Sequence, residues 1–272
     1  VPILRDPRKD AEDSEAVFYF PGCGSERLFS QIGLATLAML YKVGVQTVLP
    51  PGYLCCGYPQ NAGGNTDKAT KITTDNQVLF HRVANTLNYM DIKTVIVSCG
   101  TCMDQLLKYQ FQQIFPNCRL LDIHEYLMEK GVMIEGIKGT QYLYHEPCHT
   151  PMKTYSALKV AENLLGQAVT LSDRCCGEAG TFATARPDIA VQVRSRKLEE
   201  LEKGVTELIG QPVDGKQQVK ILTSCPACLQ GLSRYREDIE VETDYIVIEL
   251  ANAYLGKDWQ TKFIEQARQG GI

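Results

Sequence analysis

The chain has 272 residues, 44% of them hydrophobic and 22% charged, as expected of a globular protein with one large domain or two ordinary ones. Its formal net charge of −4 argues against nucleic-acid binding, and no apolar run reaches the roughly 18 residues of a membrane span. The unusual feature is the eleven cysteines, because a chain of this length needs no disulfides to build a core. Since no secretory signal precedes them, we expect cysteines that bind metal or carry out redox chemistry.

The chain opens on a charged segment, residues 1–16, which is interpreted as a tail or linker. Eight of the twelve residues from Arg5 to Ala16 are charged, too many to contribute to a core. The chain does not begin with Met, as we expect of a piece of a longer polypeptide.

Residues 17–136 are assigned to a first repeat, in which short strands alternate with helices. In chain order, the predicted elements are a strand over 17–20, a helix over 28–43, a β-prone run over 46–49, a helix over 67–89, a strand over 94–97 and a closing segment over 120–130. Cysteines follow each of the three strands, and they are Cys23, Cys55, Cys56, Cys99 and Cys102.

Residues 137–272 are assigned to a second repeat with the same order of elements and cysteines. Its predicted elements are a strand over 141–144, a helix over 156–165, a β-prone run over 169–171, a helix over 188–203, a strand over 219–223 and a closing segment over 244–255. Its cysteines are Cys148, Cys175, Cys176, Cys225 and Cys228. Matching cysteines of the two repeats lie 120 to 126 residues apart, which indicates an internal duplication.

Strands that alternate with helices of this length favour βαβ units. We therefore expect an α/β protein of two pseudo-repeated halves, each a small parallel sheet with flanking helices. Sites in such sheets form beyond the carboxyl ends of the strands. Because every cysteine group follows a strand, the sequence predicts a cluster of five cysteines at the rim of each sheet.

The cysteine pairs separated by two residues suit a metal centre at the start of a helix. Ser98-Cys99-Gly100-Thr101-Cys102 and Ser224-Cys225-Pro226-Ala227-Cys228 both stand where a predicted strand turns into a helix. The free N–H groups and the positive dipole end of a helix favour thiolate over thiol. Pro226 fits the first helical turn, where its missing N–H costs nothing.

The adjacent cysteines of each Cys-Cys-Gly group can reach one centre only in a tight turn, because neighbouring residues of a strand face opposite ways. Gly57 and Gly177 permit that turn. Each half then offers five thiols, whereas a single zinc or an ordinary cubane cluster takes four ligands. The spacing favours a polynuclear iron–sulfur centre and leaves zinc or a dithiol redox site as alternatives.

This pattern resembles the cysteine-rich, or CCG, domain family, in which one cysteine, a Cys-Cys-Gly group and a C-x-x-C pair usually occur twice. Phe20-Pro21-Gly22-Cys23 is similar to the family's first motif, and Tyr144-His145-Glu146-Pro147-Cys148-His149 is similar to its second. The family includes the B subunit of heterodisulfide reductase and the iron–sulfur subunits of enzymes that oxidise glycolate or lactate. The resemblance extends from Val17 to Leu255, although the loops between the cysteines differ in length from the family pattern.

The resemblance implies that all ten repeat-related cysteines are ligands of one or two 4Fe–4S clusters, cubane or noncubane, with zinc as the alternative cofactor. It implies an electron-transfer module of a flavin-linked 2-hydroxyacid (lactate or glycolate) oxidoreductase, whose partner is a flavin-containing oxidase subunit or domain. Two other functions stay open: a heterodisulfide reductase-like unit that cleaves a disulfide at its clusters, and a zinc-stapled binding module without a redox role. No residue is assigned a catalytic role, and we expect a cytoplasmic protein or one held at a membrane by its partner.

Four residues near the cysteine groups have alternative interpretations. Cys118 lies outside the repeat and is expected in the core or at the surface rather than on the metal. His145 and His149 flank Cys148, and could bond cluster sulfur, relay protons, or be strand-end histidines bonded to the backbone. Glu178 is interpreted as a solvated loop carboxylate, with a proton donor as the alternative.

Overall fold

The computed structural model describes residues 1–7, 14–178, 182–210 and 218–269, so residues 8–13 of the expected charged tail lie outside the described part. The described strands form two separate sheets. They are β1 (Ile3–Leu4), β2 (Ala16–Phe20), β3 (Gln46–Val48), β4 (Ile92–Val97), β5 (Arg119–Asp122), β6 (Thr140–His145), β7 (Val169–Ser172), β8 (Gln218–Thr223) and β9 (Glu242–Tyr245).

Helices connect the strands of both sheets. They are α1 (Ser30–Val43), α2 (Tyr58–Ala62), α3 (Thr66–Thr86), α4 (Gly100–Leu106), α5 (Phe111–Ile114), α6 (Ile123–Glu129), α7 (Ala157–Leu165), α8 (Phe182–Ala185), α9 (Pro187–Ile209), α10 (Pro226–Ser233), α11 (Arg236–Ile239), α12 (Ile246–Leu255) and α13 (Trp259–Arg268). A π-helical turn covers Gly24–Leu28 and a 3₁₀ turn covers Leu107–Tyr109. Among the described helices, none combines the length and the apolar character needed to cross a membrane.

Apart from the additional strand β1 in the first sheet, the two sheets have equivalent strand orders, which confirms the predicted α/β fold of two repeated halves. The first sheet runs β1-β3-β2-β4-β5, and the second runs β7-β6-β8-β9. Neighbouring strands are parallel, apart from β1, which pairs antiparallel with β3. The carboxyl ends of β2, β3 and β4 therefore meet at one edge, as do those of β6, β7 and β8.

Each half contains a fourth parallel strand that the sequence pattern does not reveal. Strand β5 pairs with β4, and β9 pairs with β8. Strand β5 runs directly into α6, and β9 runs directly into α12. Because each helix begins at the residue after its strand, the change from strand to helix periodicity is hidden in the sequence. Helix α13 is also unexpected. Trp259 begins it, is buried, and donates its indole N–H to Asn252 Oδ1 at 2.9 Å.

The two halves share a core between their sheets. One continuous cluster of buried side chains includes Met39 of α1, Tyr126 of α6, Leu164 of α7 and Leu250 of α12. Helix α1 packs on α12 and α6 packs on α7, so each of these contacts joins the first half to the second. Because full burial of one aliphatic side chain contributes about 1.5–3 kcal/mol, this shared core holds the halves together.

Tyrosine hydroxyl groups hold the two Ser-Cys-x-x-Cys turns that follow β4 and β8. The Tyr19 hydroxyl lies 2.7 Å from Ser98 Oγ, and the Tyr144 hydroxyl lies 2.9 Å from Ser224 Oγ, the equivalent pair in the second half. A third hydroxyl, that of Tyr245, lies 2.7 Å from the carbonyl oxygens of both Ser98 and Ser224. Its single hydrogen is shared between carbonyl groups of different halves, which draws the two turns together.

Replacing Tyr245 with Phe removes this shared donor and keeps the ring. Because Tyr245 is fully buried and carbonyl groups lose their donor, we expect Tyr245→Phe to lower the free energy of unfolding by about 1–3 kcal/mol. Tyr89→Phe is the matched control, since Tyr89 is 74% exposed. Urea denaturation measures both variants, and equal midpoints for the two would contradict the bridging role of Tyr245.

Candidate metal centres

The repeat-related cysteines lie beyond the carboxyl ends of the strands. Cys23 follows β2, and Cys148 follows β6. Cys99 and Cys225 are the N-cap residues of α4 and α10, and Pro226 occupies the first turn of α10, as expected. Each C-x-x-C pair therefore stands at a strand-to-helix junction, where backbone N–H groups are free to face sulfur.

The Cys-Cys-Gly groups form tight turns outside the strands, as their glycines predict. Gly57 has a φ of 88° and Gly177 a φ of 78°, in the left-handed region that favours glycine. The Gly57 N–H donates to Cys55 Sγ at 3.5 Å, and the Gly177 N–H donates to Cys175 Sγ at 3.3 Å. The same turn thus presents the same pair of sulfurs in each half.

The ten thiols form a single series of contacts, here called the thiol run, that crosses from one half to the other. It joins the halves where Cys99 contacts Cys225. One contact within the second half, from Cys176 Sγ to Cys228 Sγ, measures 3.2 Å. The order along the run is Cys23, Cys55, Cys56, Cys102, Cys99, Cys225, Cys228, Cys176, Cys175 and Cys148. The sequence predicts the two sets of five but not the contact between them.

The thiol run is buried in its middle and open at its ends. The inner six thiols are at most 6% exposed, and they are Cys56, Cys99, Cys102, Cys176, Cys225 and Cys228. Cys23 and Cys55 are half-buried, whereas Cys148 and Cys175 are exposed. A centre held here is shielded from water where the halves meet and can be reached from outside at either end.

The first cysteine of each Cys-Cys-Gly group has a lowered pKa, which favours the thiolate. Cys55 accepts hydrogen bonds from Cys23 and from the next thiol of the run, which lower its pKa to about 3. Cys175 accepts hydrogen bonds from Cys148 and from the next thiol, which lower its pKa to about 2. Because the thiolate is the form that binds metal, these equivalent residues of the two halves are suited to be ligands.

Beside the thiol run the halves approach closely at two points, and in each the residue of the first half is a glycine. A Cβ added to Gly100 would lie 1.6 Å from the His149 carbonyl oxygen, and one added to Gly24 would lie 2.9 Å from Pro226 Cβ. Gly24 and His149 each follow the first cysteine of their half, and Gly100 and Pro226 occupy the same place in the C-x-x-C turns. The duplication therefore produces the same contact between the halves twice, and both contacts hold the two sheet rims together.

The backbone-bonded interpretation is wrong for both histidines that flank Cys148. His149 joins a network with the first half: its Nε2 lies 3.0 Å from the Tyr58 hydroxyl, and its Nδ1 contacts the Asp104 carboxylate. Lys153 Nζ lies 2.8 Å from the same carboxylate. No sequence signal predicts this network, because Asp104 and Tyr58 lie 45 and 91 residues before His149 in the chain.

The ring of His145 lies beside the thiols of the second half. The residue is 1% exposed, and neither ring nitrogen has a hydrogen-bond partner among the described residues. A ring nitrogen, Cys176 Sγ and Cys228 Sγ all lie within 4.8 Å of one another. The structure thus adds an imidazole to the residues that could hold a metal.

Two further residues near the thiols differ in how well the sequence places them. Glu178 is buried and ion-paired with Arg234, so its interpretation as a solvated carboxylate is wrong. Its burial follows from close packing against α10, where a Cβ added to Gly231 would lie 2.7 Å from Glu178 Cγ. Cys118 is buried in the core and outside the thiol run, as predicted.

The donor set fits a thiophilic metal centre in each half. All eleven cysteines are free thiols, and ten of them converge in the thiol run. Soft thiolate ligands select iron–sulfur clusters, zinc or monovalent copper. Burying several ionisable groups side by side is costly unless each is neutral or bound, and a metal centre removes that cost.

Comparison with protein families finds the cysteine pattern twice in this chain. The profile of the family described as Cysteine-rich domain, or CCG, matches residues 17–107 and 142–233. Each match contains all five cysteines of its half. A second profile, described as Domain of unknown function (DUF3400), matches residues 233–272.

The chain is also similar to three curated proteins, two of which are named as iron–sulfur proteins. It is 24% identical over 244 residues to an uncharacterized iron–sulfur protein of Methanococcus maripaludis, covering 86% of this chain and 45% of that protein. It is 26% identical over 220 residues to the B subunit of the fumarate reductase (CoM/CoB) of Methanothermobacter marburgensis, covering 77% and 40%. It is 26% identical over 220 residues to the glycolate oxidase iron–sulfur subunit of Escherichia coli, covering 76% and 54%. The chain spans about half the length of these relatives.

Serine substitutions should separate the two halves. We expect Cys56→Ser to lower the metal content of the first half and Cys176→Ser that of the second, because the thiols that each of them contacts in the thiol run belong to its own set of five. Cys118→Ser is the matched control, as this buried thiol lies outside the run. Iron, zinc and acid-labile sulfide per chain are measured on anaerobically purified protein. An equal loss in the Cys118 variant would contradict the assignment.

Proposed function

We propose that this chain, which belongs to the cysteine-rich domain family, is an iron–sulfur electron-transfer module. The observation that supports this function most strongly is the thiol run, with two equivalent sets of five thiols that meet at Cys99 and Cys225. In this proposal all ten cysteines of the run are ligands, and the chain holds one or two 4Fe–4S clusters, cubane or noncubane. Such a cluster, when bound, supplies one-electron transfer.

The residues of the chain hold the centres and control their surroundings. The left-handed Gly57 and Gly177 fix the Cys-Cys turns, and Cys99 and Cys225 stand at the N-termini of α4 and α10, where the positive end of the helix dipole favours thiolate. Burial of the inner six thiols keeps water away. Hydrogen bonds to sulfur, burial and net charge then set the reduction potential, so the fold determines where an electron rests.

The partner in this proposal is a flavin-containing oxidase subunit or domain that acts on a 2-hydroxyacid such as lactate or glycolate. A flavin in that partner would supply the oxidation of the 2-hydroxyacid to a 2-oxoacid, with loss of two electrons and two protons, and the single-electron delivery that this chain would accept. Similarity to the glycolate oxidase iron–sulfur subunit supports this partner. The exposed thiols Cys148 and Cys175 provide a surface at which an electron can pass between the chain and another protein.

A second candidate function is the reductive cleavage of a disulfide at the clusters. Exposure of Cys148 and Cys175 favours it, because a small disulfide could reach this end of the thiol run. Similarity to the B subunit of a fumarate reductase (CoM/CoB) also supports it. The reaction would consume two electrons and two protons and release two thiols, so it can be distinguished from electron transfer alone.

Elemental analysis of anaerobically purified protein tests the iron–sulfur proposal directly. We expect about four or about eight irons per chain with an equal amount of acid-labile sulfide, because a 4Fe–4S cluster contains both in equal number. Visible absorbance from the cluster should accompany them. Zinc without sulfide, in protein that has never met air, would rule out electron transfer and indicate a zinc-stapled binding module.

A second experiment tests where the hydroxyacid chemistry resides. We expect dithionite to bleach the visible absorbance of the clusters and neither lactate nor glycolate alone to do so, because the chain depends on a partner for that chemistry. Bleaching by either hydroxyacid alone would contradict the need for a flavin partner. Oxidised glutathione is then added to the reduced protein, and release of two thiols per disulfide consumed would favour the second candidate.

A further inference from the structure

The central strands of the two halves end in different residues beside the cysteines. Phe20 ends β2 and pairs with Val97, whereas His145 ends β6 and pairs with Thr223 in the same register. The tyrosine before each makes the same contact with a serine of its own half. Phe20 and His145 are therefore equivalent positions of the duplicated fold.

The two side chains differ in what they offer to the neighbouring thiols. Phe20 is fully buried and packs edge-on against Phe80, with ring centroids 5.9 Å apart, so it completes an apolar cluster. A phenyl ring carries no lone pair for a metal. The imidazole of His145 carries one at the same place in the second half.

His145 is buried in a way that is costly unless the ring has a partner. Neither ring nitrogen has a hydrogen-bond partner among the described residues, and leaving a buried polar group unsatisfied destabilises a fold. A neutral imidazole has a lone pair on one ring nitrogen. A metal bound by the adjacent thiols would satisfy the ring.

The distances around His145 agree with shared coordination. A ring nitrogen and the sulfurs of Cys176 and Cys228 lie within 4.8 Å of one another, and the two sulfurs are 3.2 Å apart. Bonds of about 2.0–2.3 Å from nitrogen and sulfur to one metal place such ligands roughly 3.5–4 Å apart. Shifts of less than 1 Å, roughly, would therefore bring the three donor atoms to the separations that one metal atom requires.

The neighbouring histidine provides an internal contrast. His149 lies only four residues further along, yet both of its ring nitrogens are engaged, one by Tyr58 and the other by Asp104. It has no free lone pair for a metal. Of the two histidines that flank Cys148, only His145 is arranged as a ligand.

We propose that His145 is a nitrogen ligand of the metal centre in the second half, together with Cys176 and Cys228. This inference rests on the proposed function only in requiring that the second half bind metal. The two halves then hold unequal centres, one with thiolates alone and one with thiolates and an imidazole. Because histidine ligation raises the potential of an iron–sulfur centre, an electron that enters the chain settles in the second half.

Isotope labelling tests the ligand without changing the protein. The full chain is prepared anaerobically with nitrogen-15 in its four histidines, and separately with natural nitrogen, and the clusters are brought to a paramagnetic state. Pulsed EPR then measures hyperfine coupling to nitrogen. We expect a coupling of the strength of a directly bound nitrogen that changes with the isotope. If elemental analysis finds zinc, X-ray absorption at the zinc edge is expected to show nitrogen beside sulfur.

Two variants assign the coupling to one residue. His145→Phe gives the second half the residue that the first half carries, and we expect loss of the coupling and a more negative potential of that centre. His149→Gln is the matched control, expected to retain both. Bound metal without a histidine coupling in the wild-type chain, or a coupling that survives His145→Phe, would overturn this inference and leave the proposed function standing. A chain that binds no metal under anaerobic conditions would overturn the proposed function with it.

Discussion

The fold depends on the contact between two Ser-Cys-x-x-Cys turns, one from each half. Cys99 and Cys225 meet there, and Tyr245 shares its hydroxyl between the carbonyl groups just before them. The turns can approach only because Gly24 and Gly100 leave room for the opposite half. With the turns in place, the rims of the two sheets must lie side by side, and α1 and α6 must cover α12 and α7. One close approach therefore determines both the shared core and the continuity of the thiol run.

Duplication produced two similar sites, and the side chains around the thiols make them different. The glycine of each Cys-Cys-Gly turn faces its long helix at the same place, which makes Asn76 of α3 equivalent to Lys197 of α9. Asn76 donates to the Cys55 carbonyl oxygen at 2.8 Å, whereas the buried Lys197 contacts Glu200 at 2.8 Å. The second half thus carries an ammonium group and an imidazole where the first carries an amide and a phenyl ring. Both differences change the polar groups around the second site, and such groups are among the terms that set the potential of a cluster.

The sequence predicts the parts of this architecture that depend on local pattern. The repeated order of strands, helices and cysteines predicts two parallel sheets with thiols at their rims, and Gly57 predicts the turn that brings adjacent cysteines together. Features that depend on distant contacts are not predictable in this way. The bond between Tyr58 and His149 joins residues 91 positions apart, and the burial of Glu178 depends on a helix that follows much later. Strands β5 and β9 are hidden for another reason, since each merges with the helix that follows it.

The exposure of the thiols explains what two halves provide that one could not. An electron carrier needs access for a donor and for an acceptor. A single half would have one accessible end, where its first cysteine lies, and one end at the C-x-x-C turn that is covered in this fold. Joining two halves through their C-x-x-C turns buries both inner ends against each other and leaves both outer ends reachable. The Cys99–Cys225 contact then lies on the path between them, protected from water at the point where an electron would cross from one half to the other.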